Sequence, residues 1–148
     1  MELKKLTIKD IDLIEKIIAD AFSGEPWNDE WQDSAQLRQY ITDVADNKNS
    51  LSLGLFDNDE IIGVTTGRIK RWYTGKQYWI DDLGILSEKQ GSGVGSRFIS
   101  MIEEYLKENG VNKMVLLTER DFPAYRFYAK NGFVDKKNRV VYEKELYN

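Results

Sequence analysis

Residues 78–109 constrain the fold more than any other stretch of this sequence. Tyr78 to Leu86 is an apolar run rich in aromatic and β-branched residues, which reads as a strand. Gln90-Gly91-Ser92-Gly93-Val94-Gly95 then places glycine at every second position. From Ser96 the pattern takes helical period, with Phe98, Ile99, Ile102, Tyr105 and Leu106 on one stripe.

A strand, a glycine turn and a helix start leave several backbone N–H groups unpaired at the positive end of a helix dipole. Glycine lets that backbone take positive φ and lets a ligand approach without a Cβ in the way. The result is an anion site suited to phosphate. It is neither of the two common phosphate patterns. Ser96-Arg97 stands where a P-loop needs Lys-Ser/Thr. Gly91 and Gly93 fit the start of G-x-G-x-x-G, but position 96 is serine and the stretch lies in mid-chain. The plainer alternative is a flexible turn that only caps a helix.

Cysteine and histidine are both absent, which removes disulfides, thiolate nucleophiles, Cys/His zinc sites and histidine triads together. Acid–base chemistry must then use carboxylates, tyrosine, lysine or the termini. A formal net charge of -4 argues against nucleic acid as the main partner and suits a cationic one. The length of 148 residues fits a single domain spanning 1–148. No run approaches the roughly 18 apolar residues that span a bilayer. Met-Glu-Leu-Lys-Lys is not a signal-peptide start. A cytoplasmic protein without a membrane partner is expected.

Leu3 to Thr7 reads as a strand, and Asp10 suits the cap of a helix burying Ile11, Ile14, Ile17, Ile18, Ala21 and Phe22. Residues 23–33 hold two tryptophans and four acids, Glu25, Asp29, Glu30 and Asp33. Trp27 and Trp31 either pin this loop to the core or, with Glu25, Asp29 and Glu30 nearby, wall an acceptor pocket; the two are compatible. Ser34 to Asp46 is a helix with Leu37, Tyr40, Ile41 and Val44 inward. Leu51 to Phe56 and Ile61 to Arg71 form a hairpin about Asp57-Asn58-Asp59-Glu60. Gly63 and Gly67 suggest bulges or close packing. Lys113 to Thr118 is a further strand. Asp121 and Pro123 suit the start of a helix that stops at Asn131-Gly132, and Val140 to Leu146 reads as a last strand. Hairpin-linked strands followed by β-α-β-α-β predict an α/β mixed sheet with helices on both faces.

Gln90-x-x-Gly93-x-Gly95 resembles the acetyl-CoA pyrophosphate loop of the GNAT superfamily of N-acetyltransferases. Ala124, Tyr128, Gly132 and Phe133 match a second GNAT signature in spacing, while Asp121 stands where asparagine is usual. The resemblance covers the second half specifically and the first half by element order. It implies a GNAT-like fold, a mostly antiparallel sheet of six to seven strands with one splayed strand pair. The splayed pair would be the strands at 78–86 and 113–118.

On this resemblance, acetyl-CoA is the cofactor, with no metal. The backbone of Leu83, Gly84 and Ile85 would hold its pantetheine and polarise the thioester, with a bulge expected at Gly84. The N–H groups of Gly91, Ser92, Gly93, Val94, Gly95 and Ser96, beside Gln90, would hold the pyrophosphate. Asp121 would contact the pantetheine arm, and Tyr128 would protonate the leaving thiolate.

The acceptor amine must lose a proton before attack, and Asp81 and Asp82 are the candidate bases. Adjacent strand residues face opposite sides, so both serve one site only if a bulge intervenes. The strand resembles that of polyamine acetyltransferases, where acids at these two positions serve the acceptor. Asp81 is taken as the base and Asp82 as the cation binder.

The implied function is direct acetyl transfer to a primary amine of a small, cationic acceptor such as a polyamine or aminoglycoside. Protein N-termini or lysines are alternative acceptors. A non-catalytic acyl-CoA sensor and, more weakly, a nucleotide-binding α/β domain are the rival classes. A homodimer is common in the family, with Trp72 and Tyr147 as candidate interface residues.

Overall fold

The structure, a computed structural model, describes residues Met1–Tyr147. The chain divides into two compact units, Met1–Leu117 and Thr118–Asn148.

The first unit contains β1 (Glu2–Leu6), α1 (Ile11–Phe22), α2 (Ser34–Ala45), β2 (Ser52–Asp57), β3 (Glu60–Trp72), β4 (Gly75–Ile85), α3 (Val94–Glu108) and β5 (Val111–Val115). The strands form one sheet in the order β1-β2-β3-β4-β5. Neighbours are antiparallel except β4 and β5, which run parallel because α3 carries the chain back across the sheet. Asn58 and Asp59 both take positive φ, 51° and 64°, in the two-residue turn that joins β2 to β3.

Gly84 and Ile85 are successive on β4 and face opposite sides of the sheet. A Cβ on Gly84 would lie 2.9 Å from Ala21 Cβ of α1. One on Gly63, the cross-strand partner of Ile85, would lie 3.3 Å from Phe98 of α3. Helices α1 and α3 therefore cover opposite faces. Ile14, Ile17 and Ile18 of α1 are buried, as are Phe98, Ile99, Ile102 and Leu106 of α3. The Asp33 carboxylate caps α2 by accepting from Gln36 N–H at 2.8 Å. Asp10 occupies the cap position of α1 but bonds elsewhere. Its carboxylate accepts from Thr7 N–H at 2.9 Å and closes a capping box on the short turn before the helix.

Strand β4 is irregular along both of its edges. Thr66 pairs with Asp82 and Gly67 with Ile80, so Asp81 is an extra residue, a β-bulge. The expected bulge at Gly84 is not there, since Gly84 pairs in register with Val64. The need for glycine at 84 comes from α1 pressing on the strand. On the other edge, β4 pairs with β5 only from Lys76 to Trp79. From Ile80 to Ile85, β4 has β3 on one side and no strand on the other among the described residues.

In the second unit, α4 (Pro123–Lys130) begins at Pro123 with Phe122 as its cap residue. Proline at the first helical position forces the preceding residue into extended backbone. That fixes Phe122 as the cap and places Asp121 one residue outside the helix, so Asp121 does not cap it. Val140 to Leu146, expected as a strand, forms none, and the sheet has five strands among the described residues. Val140, Val141, Tyr142 and Leu146 are exposed. β-Branched and aromatic residues favour a strand through packing on a half-buried pleated surface, which these side chains lack.

Candidate active site

The glycine loop is tied back to the residues that precede it. The Gln90 side-chain amide donates to Ile85 C=O at 3.0 Å, and Ser92 Oγ donates to Lys89 C=O at 2.8 Å. Gln90 therefore pins the loop to the end of β4. Gly91 and Gly93 take φ of 81° and 82°, and Gly93 caps α3 without any side-chain hydrogen bond. The first amides of α3, from Val94 to Ser96, are thus not claimed by a capping side chain. No heavy atom lies within 4 Å of where a Cβ would project from Gly91 or Gly93. An open cradle of backbone N–H groups at a helix start fits a pyrophosphate. The unpaired edge of β4 carries Leu83, Gly84 and Ile85, and an unpaired strand edge offers N–H and C=O groups to an extended ligand. The residues present therefore fit acetyl-CoA.

The bulge brings the two aspartates to bear on one region. Asp82 Oδ2 accepts from Tyr40 OH at 2.7 Å and from Thr66 Oγ1 at 2.6 Å. Asp81 Oδ1 lies 3.4 Å from an Arg68 guanidinium nitrogen. Burial pushes the Asp82 carboxyl above its ordinary value, the Thr66 and Tyr40 donors pull it down, and the charges of Asp81 and Asp29 push it up again. The Asp81 carboxyl is also raised by burial, with Arg68 opposing. Burial, then the adjacent Asp82 charge, lifts the Tyr40 hydroxyl far above the usual phenol range, so it stays a donor.

Both tryptophans of the 23–33 loop pack. The Trp27 ring meets Phe22 edge-on at 5.5 Å, and Trp31 lies 5.3 Å from the Tyr40 ring, against the core. Trp31 Nε1 is buried with no hydrogen-bond partner among the described residues. Glu30 is exposed, and the acid of this loop whose charge reaches Asp82 and Tyr40 is Asp29. Asp29 is held by its N–H, which donates to Phe22 C=O at 2.9 Å. Tyr40, Thr66 and Arg68 are the residues that sequence reasoning did not assign to the site, whereas Asp29 was among the loop acids expected near it. Tyr40 carried a signal, because a tyrosine on a buried helical stripe needs a partner for its hydroxyl.

The second unit explains the spacing from Tyr128 to Phe133. Helix α4 ends in a Schellman motif: Phe133 N–H donates to Tyr128 C=O at 3.0 Å and Gly132 N–H to Ala129 C=O at 3.2 Å, with Gly132 at φ 89°. The accompanying apolar contact is Tyr128 against Phe133, ring centroids 5.2 Å apart and nearly perpendicular. Phe127 packs on Tyr128 at 5.3 Å. Among the described residues, no helix is long and apolar enough to cross a membrane, and no group of three or more His, Cys, Asp or Glu side chains could hold a metal ion.

Comparison with known proteins agrees with this architecture. An aminoglycoside acetyltransferase, meta-AAC0020, from an uncultured soil metagenomic sample was solved with sisomicin. It superposes with a TM-score of 0.75 at 18% identity, over 99% of this chain and 96% of that one. A possible acetyltransferase from Clostridium difficile 630 gives 0.82 at 16% identity, over 99% and 98%. The aminoglycoside acetyltransferase AAC(6')-Iy, solved with a bisubstrate analog of CoA and acetylneamine, gives 0.71 at 15%, over 97% of each chain. Comparison with curated protein sequences finds no match. At these identities the solved structures speak for the fold. The family model described as Acetyltransferase (GNAT) family matches residues 11–133, most of the sequence and both of its glycine-bearing motifs, so the chain belongs to the GNAT acetyltransferase family.

Proposed function

We propose that this GNAT acetyltransferase moves an acetyl group directly from acetyl-CoA to a primary amine of a small, cationic acceptor. The observation that carries the reading is the carboxylate pair at the β4 bulge, beside the stretch of β4 that lacks a strand partner. Aminoglycoside acetyltransferases among the structural neighbours agree with a cationic acceptor.

Acetyl-CoA supplies an activated acyl group and a thiolate leaving group. The chain's residues supply the rest. Asp82 takes the proton from the acceptor ammonium: burial makes its carboxylate a better base, and its two donors meet Oδ2, leaving Oδ1 to face the amine. Asp81, more exposed and already beside Arg68, holds acceptor cation. This assignment is the reverse of the split drawn from the sequence. Backbone N–H groups between Leu83 and Ile85 stabilise developing oxyanion charge. Tyr128, assigned from its motif spacing, protonates the leaving thiolate. With no cysteine in the chain, a cysteinyl acyl-enzyme has no nucleophile.

The test is a thiol-release assay with acetyl-CoA against polyamines, aminoglycosides, amino acids and peptides with free N-termini, run beside calorimetry with CoA. Turnover on a polyamine or aminoglycoside is expected. Turnover confined to peptides would overturn the small-acceptor reading, and CoA binding without turnover would favour a sensor. Absence of CoA binding would remove the basis for the Gln90–Gly95 assignment.

A further inference from the structure

Asp20 lies in the last turn of α1, far in sequence from the glycine loop, yet its carboxylate bonds to the loop's approach. Asp20 Oδ2 accepts from Ser87 N–H at 2.7 Å and from Ser87 Oγ at 2.9 Å. Ser87 opens the short turn Ser87–Lys89 that leads from β4 into the loop, and the residue before it, Leu86, makes no side-chain cap. A helix neighbouring in space, not in sequence, thus caps the turn.

Electrostatics alone disfavour a carboxylate here. It sits at the negative end of the α1 dipole, with no basic residue in that last turn. It also stands beside a loop suited to an anion. The paired bonds to Ser87 are the compensating contact. The same helix end is fixed elsewhere, since Ala21 and Phe22 press on Gly84 and Phe22 C=O accepts from Asp29 N–H.

We infer that Asp20 is a positioning residue for the cofactor: by fixing Ser87 it sets where the Gln90–Gly95 backbone begins and holds that loop ready for a pyrophosphate. This rests on reading Gln90–Gly95 as the pyrophosphate loop. The loop acts before any ligand arrives, and a loop that is competent for only a fraction of the time weakens apparent affinity by that fraction.

The full chain is tested as the parent, Asp20→Ala and Asp20→Asn, by amide hydrogen exchange without ligand and by calorimetry with CoA. In Asp20→Ala, exchange across residues 87–95 is expected to quicken about tenfold while β2 and β3 keep their protection, and CoA affinity to fall about tenfold. Asp20→Asn keeps an oxygen for Ser87 N–H and is expected within about twofold of the parent in both readouts. Parent-like exchange and affinity in Asp20→Ala would overturn the inference. So would an Asp20→Asn protein as impaired as Asp20→Ala, because charge and not hydrogen-bond acceptance would then be at work. A parent that binds no CoA overturns the pyrophosphate reading and the cofactor role with it, whereas the exchange result separately decides whether Asp20 orders the loop.

Discussion

The Tyr40 hydroxyl donates to Asp82 Oδ2 at 2.7 Å, joining α2 to β4 at a carboxylate that burial has already pushed up. Tyr40→Phe removes a donor that stabilises the charged form. The Asp82 carboxyl then rises further, so the acidic limb of the rate–pH profile is expected to move to higher pH. Loss of a hydrogen bond to a charged group in this half-buried site is expected to cost about 1.5 kcal/mol in denaturant unfolding. An unmoved pH limb would show that Tyr40 does not govern Asp82.

Asp82→Asn separates stability from activity. Asp82 titrates higher in the folded chain than its ordinary 3.8 because burial disfavours its charge. The stability it contributes is whole below the unfolded value and is lost as pH rises through the folded one. At pH 7 the ionised group is therefore a liability. Asp82→Asn is expected to melt higher than the parent at pH 7, with the gap closing as pH falls toward the unfolded value. Turnover is expected to fall by about a hundredfold or more, as loss of a general base does. Thermal melts across pH and steady-state rates check both halves.

Asp81→Asn is expected to act mainly on binding. KM for the amine rises several-fold while kcat changes less, because an interaction present in ground and transition states is removed. The opposite pattern, a collapsed kcat with KM intact, would restore Asp81 as the base.

Gly93→Ala tests the glycine loop. At φ 82° an L-residue costs about 1 kcal/mol of backbone strain. No atom lies within 4 Å of the new methyl, so denaturant unfolding is expected to show only that loss. CoA affinity measured by calorimetry is expected to fall by more than the strain accounts for, since the methyl projects into the open cradle.

Tyr128→Phe keeps the ring that packs on Phe127 and Phe133. A fall in kcat of about tenfold or more with CoA affinity retained is expected if the hydroxyl protonates the thiolate. Full turnover would sink the acid assignment.

What could be read in advance obeyed local rules. The stripe of Phe98, Ile99, Ile102 and Leu106 needs only the helical period, and all four are buried in α3. The Asp57–Glu60 turn and the Gly132 stop likewise depend on their own backbone. The bulge at Asp81 was not legible, because register belongs to a pair of strands and β3 sets half of it. Val140–Leu146 misled for a related reason: its alternation fits a strand, but alternation alone does not supply a surface for those side chains to pack on. Asp121 and Phe122 were separated by one residue's shift, which proline and not aspartate decided. At the site, the acidic pair and the acid-bearing loop with Asp29 were visible as sequence, whereas Tyr40 and Thr66 join them only through tertiary proximity.

Asp81 also has a genetic reading. It is the one residue of β4 without a partner on β3, so it behaves as a single-codon insertion in an otherwise regular ladder. Deleting it would let Ile80 and Asp82 pair with Gly67 and Thr66 in unbroken succession, a change the sheet itself would tolerate. The same deletion would remove one acid of the pair and unbend the strand that aims the other. The pairing of the two acids therefore hangs on a single codon.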